Sequence, residues 1–231
     1  MQVHQTPTLL LTRPRLASER FATGVQGADV VIAPLMEIIG TGTDIALDGV
    51  AGLILTSEAV VPFLPRTALP AYCVGPRTAT AACAAGFKAE ALGQDAEGLI
   101  QALAKLRPPG PLLHPHGTYT RGDVAGRLSA LGLPTTGLAV YDQREVPPSP
   151  AFHAALTLPG LVVPLFSPRS ARLFAAAAPS VPDTAQIIAL SPAVVEALPD
   201  TLRAQTRIAE APTGDAMRGI LVSLGVKWNS P

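Results

Sequence analysis

Leu53-Ile54-Leu55-Thr56-Ser57-Glu58-Ala59-Val60 sets the reading of the whole chain. Three apolar residues run into two hydroxyls, then an acid, then helix-compatible residues. A short apolar run that stops at Ser or Thr ahead of an apolar helical pattern predicts strand, turn and helix N-cap. The end of such a strand faces helix N–H groups that lack intrahelical partners, and these favour carboxylate or phosphate. The arrangement returns at Val162-Val163-Pro164-Leu165-Phe166-Ser167-Pro168, so that Ser167 follows Ser57 by 110 residues.

Working outward, strand and helix patterns alternate. Leu9-Leu10-Leu11-Thr12-Arg13-Pro14 predicts a strand, a polar turn and a helix opened by proline. Asp29 to Ala33 predicts a second strand. Residues 35–39 continue extended past Pro34, either as a crossing into another domain or as an edge strand. Strands are then expected at 50–55, 71–74, 86–89, 110–115 and 136–141, with helices at 57–63, 75–85, 96–106 and 121–131. Asp142 to Pro150 is polar and proline-rich and predicts a linker. Beyond it the pattern resumes with strands at 161–165, 185–190 and 207–210 and helices at 151–156, 170–177, 192–198 and 214–224. Residues 228–231 carry no pattern.

Alternation of this kind predicts parallel sheets covered on both faces. The two halves also echo each other, Val74-Gly75-Pro76 matching Leu190-Ser191-Pro192. The first two strands have too few partners for a sheet of their own and are expected to complete the C-terminal half. That gives a discontinuous domain of residues 1–34 and 147–231, an inserted domain of 40–139, and linker strands at 35–39 and 140–146. Ligands of open parallel sheets bind beyond the carboxyl ends of the strands, so a cleft between two such domains is the expected site.

Composition bounds the function. The chain has 231 residues, 48% hydrophobic and 15% charged, which is globular rather than disordered, with length for one large domain or two small ones. The formal net charge is zero, which supplies no surplus for a nucleic-acid backbone. Twenty glycines and 24 prolines predict short elements and many turns. Lys88, Lys105 and Lys227 are the only lysines, and the remaining cations are arginines. Cys73 and Cys83 lack a CxxC or a histidine cluster, so both are expected as buried reduced thiols. No signal-peptide pattern or membrane-length apolar run is present, and the expectation is a soluble cytoplasmic protein. Ser-His-Asp spacing, a Walker lysine motif and GxGxxG are all absent.

In order along the chain, the residues resemble the uroporphyrinogen-III synthase family. Leu10-Leu11-Thr12-Arg13-Pro14 is similar to its opening strand and turn, and Ile54-Leu55-Thr56-Ser57 to its first Thr-Ser turn. Val74-Gly75, Thr78-Ala79 and Gly86 resemble its Val-Gly…Thr-Ala…Gly segment, and Val140-Tyr141 its Val-Tyr pair. Phe166-Ser167-Pro168 and Ala209-Glu210-Ala211-Pro212-Thr213 resemble two later motifs. One departure is clear: Ser191-Pro192-Ala193-Val194 stands where the family often has a Gly-Pro-Thr-Thr-like turn, so Ser191 or backbone N–H groups must replace a threonine.

The resemblance implies an α/β fold of two open parallel-sheet, flavodoxin-like domains on a two-stranded linker. It implies a lyase that needs no cofactor and no metal. Hydroxymethylbilane, a linear tetrapyrrole with eight carboxylates, would be closed to uroporphyrinogen III with loss of water and inversion of ring D through a spiro intermediate. The linear substrate also closes unaided to the wrong isomer, so holding one geometry is the enzyme's task. It further implies a monomer without nucleic-acid or membrane partners, in transient contact with hydroxymethylbilane synthase.

On that reading Thr12, Arg13, Thr56, Ser57, Thr78, Gly117 with Thr118, Arg121 and Ser167 bind substrate carboxylates. Helix capping explains each hydroxyl equally, and a structural salt bridge each arginine. Tyr141 is the candidate for chemistry, a phenol hydrogen-bonded to the departing oxygen; packing at the end of a sheet is its other explanation. His114 and His116 flank Pro115 with no third metal ligand in view, and are expected to line the site, with a role as acid open to them. Two other functions remain: a non-catalytic two-domain small-anion binding module, and a nucleotide-dependent enzyme on a Rossmann-like sheet.

Overall fold

A computed structural model describes residues 6–120 and 122–229. The chain divides into two compact units, one formed by Met1–Glu37 with Arg144–Pro231 and the other by Ile38–Gln143.

Along the chain the elements are β1 (Thr8–Leu11), α1 (Arg15–Ala22), β2 (Val25–Gln26), β3 (Asp29–Ile32) and β4 (Met36–Gly40). There follow β5 (Gly52–Leu55), a 3-10 helix (Glu58–Phe63), β6 (Pro70–Val74), α2 (Gly75–Ala84), β7 (Lys88–Gly93) and α3 (Ala96–Leu106). Next come β8 (Leu112–Gly117), α4 (Val124–Ala130), β9 (Thr135–Glu145), α5 (Pro150–Ala155), β10 (Leu161–Leu165) and α6 (Pro168–Ala177). The remainder is β11 (Gln186–Ala189), α7 (Pro192–Glu196), α8 (Asp200–Arg203), β12 (Thr206–Ile208), α9 (Gly214–Ser223) and β13 (Lys227–Trp228).

In the first unit the sheet order is β12-β11-β10-β1-β3, with every pair parallel. Its central strands β1, β10 and β11 are mostly apolar because both their faces are buried, and successive side chains point to opposite faces. Leu10, Leu161, Val163, Ile187 and Ala189 join Phe152, Phe174 and Val194 under α5, α6 and α7. Leu9, Leu11, Val162 and Ile188 instead join Phe21, Met217 and Leu221 under α1 and α9. Each such Leu or Ile contributes about 1.5–3 kcal/mol by burial.

The second sheet runs β4-β9-β8-β5-β6-β7. Its parallel strands alternate in the same way: Leu53, Leu55, Ala71, Cys73 and Leu113 pack toward Val60 and Ala82, while Ile54, Tyr72 and Leu112 pack toward Leu99, Leu103 and Leu128. β4 is antiparallel to β9, since Val146 N–H donates to Leu35 O while Thr41 N–H donates to Val140 O, so the partners step backwards.

The two sheets share one plan under cyclic permutation. β5, β6, β7, β8 and β9 take the places that β10, β11, β12, β1 and β3 take in the other. In chain order this makes the first sheet 2-1-3-4-5 and the second 3-2-1-4-5, the two common doubly wound orders. Each has a switch point where strand order reverses, between β1 and β10 and between β5 and β8.

Several elements differ from expectation. The helix after Ser57 is a 3-10 turn because Pro62 lies inside it and a proline there removes an N–H donor. The strand expected at 136–141 and the linker strand expected at 140–146 form one continuous strand, β9, near whose end Arg144 is ion-paired to Glu37. β2, α8 and β13 were not foreseen: two to four residues carry too little pattern. Cys73 is buried as expected, and burial pushes its thiol up to about 11. Cys83 is exposed, a correction, because it lies on the outward face of α2, whose buried residues are Thr78, Ala79 and Ala82. Among the described residues no helix is long and apolar enough to cross a membrane.

Candidate functional site

The candidate residues gather at the two switch points, each within its own unit. In the first sheet, Thr12 and Arg13 follow β1, and Phe166 and Ser167 follow the adjacent β10. Thr12 is 1% exposed, and its Oγ1 has no hydrogen-bond partner among the described residues. A buried orphan hydroxyl is costly and uncommon, and it has a hydrogen bond to offer to an ordered water or a ligand. Arg13 lies with its Cζ 4.2 Å from the centroid of the Phe166 ring, within cation–π range. Ser18 Oγ donates to Arg13 O at 2.9 Å, tying the turn to α1.

Ser167 caps α6. The Ser170 N–H donates to Ser167 Oγ at 3.1 Å and the Ser167 N–H donates to Ser170 Oγ at 3.0 Å, a reciprocal capping box. The side chain of Ser167 therefore has structural work already. Ser191 is the N-cap residue of α7 but makes no side-chain cap bond.

In the second sheet, Thr56 and Ser57 follow β5, and His114, His116 and Gly117 lie on the adjacent β8. Thr56 Oγ1 and His114 Nε2 are 3.1 Å apart. His114 is 4% exposed, and burial, with His116 close by, pushes its pKa down to about 4 although Asp123 pulls the other way. The two imidazole rings are 5.0 Å apart. His116 Nδ1–H donates to Gly117 O at 2.8 Å, since a carbonyl only accepts. No group of three or more His, Cys, Asp or Glu among the described residues is placed to hold a metal ion.

Tyr141 reaches this group through a β-bulge. β8 and β9 pair as His116↔Ala139 and then Gly117↔Tyr141, so Val140 is the extra residue. A bulge re-aims side chains, and here Val140 and Tyr141 both bury into one cluster. Gly117 makes the room: a Cβ there would lie 2.6 Å from Tyr141 Cε2. Phe63 stacks on the Tyr141 ring at 5.9 Å and 17°. Tyr141 is 4% exposed. Burial raises its pKa, while hydrogen bonds from Ser57 and Gln143 work against the rise. Ser57 Oγ also accepts from Ala59 N–H at 3.2 Å as the N-cap. Thr118 N–H donates to Tyr141 O at 2.9 Å, and Thr118 Oγ1 donates to Asp142.

Thr78 is buried in the first turn of α2, after β6, and so lies outside the two switch points. Arg121 lies outside the described residues. Phe63, Gln143 and Phe166 were not singled out from sequence; only Phe166 had a signal, its place directly after a strand.

Fold and site together define a class: a two-unit, doubly wound α/β protein with hydroxyl and N–H donors at both switch points and the Arg13 guanidinium at the first. The chain belongs to the uroporphyrinogen-III synthase family, for the model of Uroporphyrinogen-III synthase HemD matches residues 20–218. Uroporphyrinogen-III synthetase from Helicobacter pylori 26695 has a similar fold, with TM-score 0.67 and 16% identity over 95% of this chain and 100% of that one. Wild-type uroporphyrinogen III synthase from the extremely thermophilic bacterium Thermus thermophilus aligns over 94% and 98% of the two chains at 14% identity, with TM-score 0.39. No curated protein matches the chain.

Proposed function

We propose that this chain acts as a lyase on hydroxymethylbilane, closing it to uroporphyrinogen III with loss of water and inversion of ring D. The observation that carries this reading is the family match over residues 20–218. Donors at both switch points support it, since the substrate is studded with carboxylates and neutral donors bind carboxylates well at helix starts. Thr12, Arg13 and Ser167 are assigned to carboxylates in the first unit, and Thr56, Ser57 and Gly117 in the second. Thr78 is assigned on the family motif and Arg121 on its charge alone.

In the proposed reaction the hydroxyl leaves ring A as water and an azafulvene cation remains. The substituted α-carbon of ring D attacks it and forms a spiro centre. The bond from the ring C methylene to that centre breaks and re-forms at the free α-carbon of ring D, across its nitrogen. That carbon then loses its proton, which restores the pyrrole and balances the proton that left with the hydroxyl as water. Tyr141 hydrogen-bonds the departing oxygen. A phenol raised above its usual 10 is a weak acid, so its role is to hold that oxygen rather than to deliver the proton outright. The substrate's own carboxylates stabilise the cation. A cytoplasmic monomer that receives its unstable substrate from hydroxymethylbilane synthase completes the proposal.

The test is to supply hydroxymethylbilane and score the isomers. Type III product in excess of the spontaneous type I supports the proposal. Type I alone overturns it and leaves an anion-binding module.

A further inference from the structure

Residues 228–231 carry no sequence pattern, and the family match ends at residue 218. Lys227 and Trp228 nevertheless pair antiparallel with Gln26 and Val25, and the Asn229 N–H donates to Gly24 O at 2.9 Å. Gly24 has φ +80°, and a Cβ there would meet Asn229 O at 3.2 Å, so glycine is what lets β13 come so close.

This pairing lays the single tryptophan of the sequence against Phe21, edge to face, with centroids 5.7 Å apart. Phe21 packs edge to face on Phe166 at 4.9 Å. Phe166 in turn carries the Arg13 guanidinium at 4.2 Å. Edge-to-face rings set each other's orientation through their quadrupoles, and a ring of fixed orientation presents a fixed face to a cation. The result is a continuous series of contacts from β13 to the switch point of the first sheet.

We propose that Trp228 and Phe21 are positioning residues for Arg13: β13 sets the Phe21–Phe166 pair, and that pair holds the guanidinium where it meets a substrate carboxylate. The last clause rests on the function proposed above; the positioning does not. A long arginine side chain loses rotamer freedom on capturing an anion, and a ring platform lowers that loss by ordering it beforehand.

The experiment reads the arginine Nε–H signals by NMR, with Arg13 assigned through Arg13→Lys. Trp228→Leu keeps apolar bulk but removes the ring, and is expected to move the Arg13 signal toward its unstacked position while distant amides stay in place. Trp228→Phe is expected to restore it. An Arg13 signal unmoved in Trp228→Leu overturns the proposal. If Trp228→Leu does not fold, Phe21→Leu reads the same series one step nearer to Arg13, and an unmoved signal there overturns the proposal equally. With hydroxymethylbilane, Trp228→Leu is expected to raise KM roughly 5- to 10-fold at unchanged kcat, the loss of one charge-assisted contact. A moved signal with unchanged KM supports the positioning and removes Arg13 from substrate binding. Absence of type III product in the parent protein overturns the function alone, because the NMR arm still decides the positioning.

Discussion

Gly117 and Tyr141 face each other across β8 and β9, and a Cβ on Gly117 would lie 2.6 Å from a ring carbon of Tyr141. The ring is held from its face by Phe63 and at its oxygen by Ser57 and Gln143. The glycine is thus required by a side chain on the neighbouring strand, whatever its own N–H does for a ligand.

Gly117→Ala is therefore expected to destabilise the protein by about 1–3 kcal/mol through overpacking. Urea unfolding measures this. Type III synthesis is expected to fall as well, since the Tyr141 ring must shift. A variant of full stability and full activity would show that the ring has room to spare.

Tyr141→Phe keeps the stack on Phe63 and loses only the hydroxyl. Its fold is expected to survive, with circular dichroism unchanged, while kcat drops about 100-fold, the low end of what a positioned acid–base group contributes. Unchanged kcat would confine Tyr141 to packing.

Thr12→Val replaces a buried hydroxyl that has no partner among the described residues by a methyl of the same shape. Stability in the absence of ligand is expected to hold or to rise by about 1 kcal/mol, because an uncompensated hydroxyl no longer has to be buried. KM for hydroxymethylbilane is expected to rise. A loss of stability instead would mean that the hydroxyl serves the fold.

His114 gives a pH dependence of defined sign. Its folded pKa is pushed down from 6.5 to about 4, so between those values the unfolded chain holds a proton that the folded chain refuses. The contribution of His114 is fully present above pH 6.5 and is lost as pH falls toward 4. It amounts to about 3 kcal/mol at most. The difference in urea stability between the parent and His114→Gln is expected to be steep in that window and flat above it. Parallel curves would remove His114 from the acid sensitivity.

Much of the site was legible in sequence because local chemistry places it. A hydroxyl after an apolar run, ahead of a helix pattern, marks a strand end that feeds a helix; Ser57 and Ser167 cap theirs, whereas Thr12 and Ser191 make no cap bond. Thr78 belongs to the polar stretch that opens α2 and lies in its first turn, but that helix follows β6 and does not start at a switch point. Tyr141 was named without its reason, because the β-bulge at Val140 depends on which strand lies beside β9.

Local patterning was enough to specify the alternation of strands and helices, the burial of both sheet faces and the hydroxyls at strand ends. Those follow from apolar runs, breakers and caps, whose causes act within a few residues. Tertiary structure alone decided that Thr8 pairs with Leu161, that Tyr141 sits opposite Gly117, and that Trp228 reaches Arg13 through two rings. Such pairings depend on which apolar faces bury together across long stretches of chain, and two-residue strands such as β2 and β13 exist only because the core beneath them is already formed.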